Sequence, residues 1–126
     1  MSYGKEVLDL EKEYRLLSSN GKEVWDELME DFSEVAVEMG LSKQEQDAIK
    51  QRYMAEVVYN DLAVTNEYLN RTKEAFSQRK INKNKLDMQR MSRVYQDHYS
   101  FVKDIDKEIT QRMNEKEQER KNNQKR

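Results

Sequence analysis

Cysteine and proline are absent from this chain, and glycine occurs only as Gly4, Gly21 and Gly40. Without thiols there is no disulfide framework, no thiolate metal site and no cysteine nucleophile. With no proline and little strand-type alternation, nothing resists helix formation over most of the length, and an all-α fold is expected. No run of about 20 apolar residues is available to span a bilayer, and the first residues do not read as a signal peptide. The expectation is therefore a cytoplasmic protein with no membrane partner. Histidine occurs once, at His98. A metal site needs several ligands converging, and the neighbours of His98 at helical spacing are Phe101 and Val102, so a hydrogen-bonded core histidine that fixes helix register is the better reading.

What is present is charge. The 126 residues are 36% hydrophobic and 38% charged, the profile of exposed helices over a thin core. The net charge of -2 conceals an asymmetry: residues 1–70 carry 7 Lys/Arg against 16 Asp/Glu, and residues 71–126 carry 16 against 9.

Apolar spacing predicts four helices. The first covers Lys5 to Leu17, with Ser18-Ser19-Asn20-Gly21 as the turn that ends it. The second runs from Lys22 to Met39 through Trp25, Leu28, Phe32 and Val35, with Gly40 just past its end, and Trp25 is expected near Tyr53 and Val57. Ser42 and Glu45 form a capping box that opens a third helix, which meets no breaker before about Arg79. Asn82 or Asn84 then caps a fourth helix that reaches about Arg112.

The third and fourth helices carry matching seams with alternating gaps of three and four. One is Ala55, Val58, Leu62, Thr65, Leu69, Thr72 and Phe76; the other is Met88, Met91, Tyr95, His98, Val102, Ile105 and Ile109. With the turn placed at Gln78 to Lys85, an antiparallel hairpin pairs Leu69 with Tyr95, Thr65 with His98, Leu62 with Val102 and Ala55 with Ile109. The expected architecture is a long antiparallel helical hairpin with two shorter N-terminal helices packed at its base, like a four-helix bundle. Residues 1–113 form the domain, with 1–60 and 104–113 as base and 61–103 as a projecting arm. Residues 114–126 contain no apolar side chain and are expected to fray.

Three surfaces are candidates for binding. Arg71, Lys73, Arg79, Lys80, Lys83, Lys85, Arg90 and Arg93 would form a basic tip to the arm. Val64, Tyr68, Val94, Tyr99 and Phe101 widen the arm's apolar stripe beyond what one partner helix covers. Glu23, Asp26, Glu27, Glu30, Asp31, Glu34 and Glu38 make one face of the second helix acidic. The carboxylate rows lie on faces turned to water, where nothing shifts their pKa towards catalysis, and no phosphate loop or nucleophile-base pair is evident. No enzyme activity and no cofactor are expected.

Leu41-Ser42-Lys43-Gln44-Glu45-Gln46-Asp47-Ala48-Ile49-Lys50-Gln51-Arg52-Tyr53 resembles the opening of the DNA-binding C-terminal region of bacterial sigma factors. The short helix, glycine-containing turn and recognition helix that should follow have no counterpart in Met54 to Lys80, so no functional residue is carried over. The pattern points to a noncatalytic helical module that binds a protein, an adaptor, regulator or inhibitor of the kind phages and mobile elements encode, and that self-associates as a homodimer through the arm. The other expectation is a nucleic-acid-binding transcription regulator that uses the basic tip.

Overall fold

In this computed structural model, which describes residues 6–72 and 77–124, the described residues form four helices and no strand. These are α1 (Leu10–Leu16), α2 (Ser19–Met39), α3 (Lys43–Arg71) and α4 (Gln78–Gln124). The fold is the expected all-α hairpin, with α3 and α4 packed extensively on each other.

Helix ends explain where the N-terminal elements sit. Glu6 to Asp9 are not helical, and the Asp9 carboxylate caps a first helix shorter than expected by accepting from the Lys12 N–H at 3.2 Å. The segment is held instead by Gln51 of α3. The Leu8 N–H donates to Gln51 Oε1 at 2.7 Å, and Gln51 Nε2 donates to the Leu8 carbonyl at 2.9 Å, so one side-chain amide satisfies both buried backbone groups. Ser18 to Gly21 is not a free turn. Ser18 is the cap of α2, its Oγ accepting from the Gly21 N–H at 2.9 Å, and Asp61 docks on that helix start by accepting from Ser18 N at 2.8 Å and Ser18 Oγ at 2.9 Å.

Gly21 leaves room for this close approach of the Asp61 carboxylate. A β-carbon there would stand 2.7 Å from an Asp61 oxygen. Gly21→Ala is therefore expected to destabilise by about 1–2 kcal/mol, because the overpacking outweighs the roughly 1 kcal/mol that alanine gains in helix propensity. A thermal melt checks it; a rise in midpoint would mean that Asp61 does not sit on α2. Gly40, by contrast, does take the left-handed conformation (φ 63°), and Ser42 and Glu45 form the capping box.

Both helix ends at the tip lie earlier than the polar run suggests. α3 ends at Arg71, with Thr72 bonded back to the Tyr68 carbonyl at 2.8 Å, and α4 begins at Gln78. Lys73 to Phe76 lie outside the described residues. Asn84 is no cap: it is buried and donates to the Leu62 carbonyl at 2.9 Å. The inward stripes are largely those expected, but their pairing is corrected. Leu62 faces Asn84 and not Val102, while Ala55 and Tyr59 share a cleft with Met91 and Tyr95, not with Ile109. The slide is about 18 residues, five steps of a seam with gaps of three and four, which leaves stripe facing stripe.

α4 cannot be a straight rod. Its early part runs antiparallel to α3, from Asn84 at Leu62 to Tyr95 over Arg52. Its later part runs antiparallel to α2: Arg112 meets Glu38, Lys116 meets Glu34 and Glu38, and Arg120 meets Glu27 and Asp31. Since α2 and α3 are themselves antiparallel, α4 must fold back. A straight helix would separate Asn84 from Arg120 by about 54 Å, far more than the path through Glu27, Gly21, Asp61 and Leu62 allows. Tyr95 and Asp106 both reach Arg52, and the helix is unbroken between them. No glycine or proline lies there, and the one local bend-promoting feature is the Ser100 hydroxyl, which donates to the Gln96 carbonyl at 2.8 Å.

Residues 114–124 are thus helical and not a frayed tail, with Lys116 and Arg120 paired to α2. The fold-back places Ile109 and Met113 in one core with Phe32, Val35, Ile49, Met54, Met91, Val94 and Val102. Trp25, Tyr53 and Val57 belong to the same core, and Phe32 meets the Tyr53 ring edge-on at 5.7 Å.

Candidate interaction surfaces

Two of the cations assigned to the basic tip do other work. Arg90 forms a bidentate ion pair with Glu6, Nε at 2.9 Å from each carboxylate oxygen and Nη2 donating as well. Arg93, although exposed, adds its field to the same carboxylate. Beside them His98, buried, has Nε2 at 2.9 Å from the Glu6 carbonyl, so the histidine secures the N-terminal segment and does not pair with Thr65 across the hairpin. The hydrogen bonds from Arg90 hold the Glu6 carboxyl below its ordinary value of 4.5 against the opposing effect of burial. Because the folded pKa is the lower one, this contribution to stability is present above pH 4.5 and is lost as pH falls through the folded value. Glu6→Gln should therefore give a shallower acid limb than wild type in melts between pH 3 and 7. Equal slopes would mean that the pair does not form.

The remaining tip cations cluster as expected. Arg71, Arg79, Lys80, Lys83 and Lys85 are all exposed near the hairpin turn, while Lys73 lies outside the described residues. Arg71 is paired with Glu67 at 2.8 Å and Lys83 with Asp87 at 3.0 Å, each one helical turn away. Arg79 and Lys85 form no ion pair among the described residues.

The apolar stripe needs correction. Val94 is 1% exposed and belongs to the core, because the N-terminal segment covers this part of α4. Tyr99 is half-buried and stacked on Tyr95 with ring centroids 6.0 Å apart. Phe101 is 54% exposed but lies at the fold-back, away from the tip. Of the stripe, Val64, 69% exposed, and Tyr68, 56% exposed, remain as exposed distal apolar side chains on α3; Leu86 on α4, 62% exposed and left aside by spacing, lies two residues from the inward-facing Asn84. Val64 also borders a groove of about 590 Å³ with Leu16, Leu62, Lys83, Asp87 and Arg90.

The acidic face of α2 is half occupied from within. Glu27, Asp31, Glu34 and Glu38 face Arg112, Lys116 and Arg120, with Asp31 the most enclosed at 2.6 Å from Arg120 Nη1. Lys116 holds the Glu38 carboxyl below its usual range. Asp26 accepts from the Tyr14 hydroxyl at 3.2 Å, and Glu23 and Glu30 are exposed. Both rows were visible as acids and bases at helical spacing on segments some eighty residues apart.

Arg52 is the feature that spacing did not mark. It is buried, its guanidinium lying 4.9 Å from the Tyr95 ring and 5.2 Å from the Tyr53 ring. Its Nε is 3.1 Å from Asp106 Oδ1, an ion pair misaligned for a hydrogen bond, with Glu56 further off at 3.8 Å. Burial pushes the neighbouring Tyr53 phenol up to about 12, with Arg52 opposing. A cleft of about 380 Å³ beside Arg52 and Tyr53 is lined by Glu27, Asp31 and Arg120, which pair with each other, by Glu117, which pairs with Lys121, and by Glu56.

No group of three or more metal-binding side chains occurs among the described residues, and none of their helices is long and apolar enough to cross a membrane. Comparison with protein-family models, with curated proteins and with solved structures finds no match.

Proposed function

We propose that this chain is a noncatalytic helical interaction module, a regulator or inhibitor that engages a protein partner through the distal end of the α3–α4 hairpin. The observation that carries this reading is the exposure of Val64, Tyr68 and Leu86 on the same stretch of hairpin as Arg71, Lys83 and Lys85. Exposed apolar side chains near cations such as Lys85 suit a partner that presents apolar surface beside acidic groups. Phosphate binding gains less support, since Arg71 and Lys83 are already paired and Arg90 is committed to Glu6.

Affinity capture from the native host, with Leu86→Asp as the control, tests it. Leu86 is exposed, so the variant should melt like wild type while losing the specific protein. Retention should persist as salt rises from about 0.05 to 0.2 M, a range over which binding through several phosphates falls by orders of magnitude. Equal capture by the variant, or retention of nucleic acid that is lost steeply with salt, would overturn the reading.

A further inference from the structure

We propose that the C-terminal limb of α4, from Asp106 onward, exchanges between two copies of this chain: α4 straightens, and each limb docks on α2 of the other copy. The partner surface is then the acidic row of α2 together with the core beneath it, and the occupant is a second copy of the same protein. This stands apart from the distal-hairpin reading and uses different residues.

Three observations support exchange. First, α4 is one uninterrupted 47-residue helix without glycine or proline, so its own sequence favours a straight rod; the fold-back is imposed by contacts remote in sequence. Straightening keeps the backbone hydrogen-bond ladder and releases the bend. Second, the ion pairs that hold the limb are transferable. Arg112, Lys116 and Arg120 reach Glu38, Glu34, Asp31 and Glu27 of α2, and Arg52 of α3 meets Asp106. None of these requires limb and receptor to belong to one molecule, and two reciprocal dockings close a two-fold dimer.

Third, the lengths match. A straight α4 measures about 70 Å and α3 about 43 Å, so a straightened α4 runs past its own hairpin by roughly the length of the limb. That overhang carries Ile109 and Met113, both buried in the closed form. Left in water they would oppose opening, whereas a second copy offers them the same pocket. Closed monomer and exchanged dimer thus differ mainly in the bend and in concentration.

The absence of cysteine makes the test clean. Chains carrying only Glu34→Cys are mixed, at high protein concentration, with chains carrying only Lys116→Cys, and treated with a short bismaleimide. The expected result is a dimer by sedimentation and a 34-to-116 link between chains, identified by peptide mass. A flexible glycine linker inserted after Ser100 should return the protein to monomer, with 34 and 116 then linking within one chain of the double variant. Two results would overturn the proposal: no 34-to-116 link between the mixed single-cysteine chains at high concentration, or a dimer that keeps its mass after the glycine insertion.

Discussion

Ile109→Asp is expected to remove about 4 kcal/mol of stability, enough to unfold much of a small domain at ambient temperature. Ile109 is fully buried, and it lies beyond the fold-back of α4, among residues contributed by all three long helices. Its neighbours in the core are apolar side chains, so the cost is that of a charge buried among them. Ile109→Ala should lose less, about 2–4 kcal/mol, as a cavity without a charge. Chemical denaturation of both variants reads the difference directly. The measurement also tests the path of the chain: if α4 ran straight past its hairpin as an isolated helix, Ile109 would face water and both changes would be nearly silent.

Asp106→Asn should cost about 3 kcal/mol, because it leaves the Arg52 guanidinium buried with no carboxylate nearer than Glu56 at 3.8 Å. The two tyrosine rings offset part of that loss by cation–π attraction. Replacing both partners, Arg52→Met with Asp106→Leu, should recover most of the stability, since a desolvated ion pair that is misaligned for hydrogen bonding contributes little net energy. A double-mutant cycle measures the coupling. Additive losses from the two single changes would show that Arg52 and Asp106 do not meet, and with that the joint between the two limbs of α4 would fall.

The ion pairs further along the limb act differently. Glu34 and Glu38 are largely exposed, so each contact with Lys116 contributes little alone and weakens with salt. What anchors the limb is Ile109 and Met113 beneath, with the more enclosed Asp31–Arg120 pair beyond them. Residues after Met113 have no apolar side chain to bury, and their docking is the part of the fold most sensitive to ionic strength.

Local pattern determined a good deal: an all-α chain, the capping box at Ser42 and Glu45, the left-handed Gly40, and the stripes that bury Ala55, Leu69, Met91, Val102 and Ile109. It also marked the cluster of cations near the hairpin turn, because a run of charge on consecutive helical turns needs no tertiary information to be seen. Only the tertiary structure decided the pairing of those stripes. In a seam with gaps of three and four every step is apolar, so a slide by whole seam steps costs the pattern little; the choice falls to where α3 ends and α4 begins and to single contacts such as Asn84 on Leu62. The same holds for the sites. Arg90 and Val94 read as tip and stripe until Glu6 to Leu8 cover them, and Lys116 and Arg120 read as a solvated tail until the fold-back brings them to α2. Each of these is a contact between segments far apart in the chain, and no periodicity within one segment carries the identity of its partner.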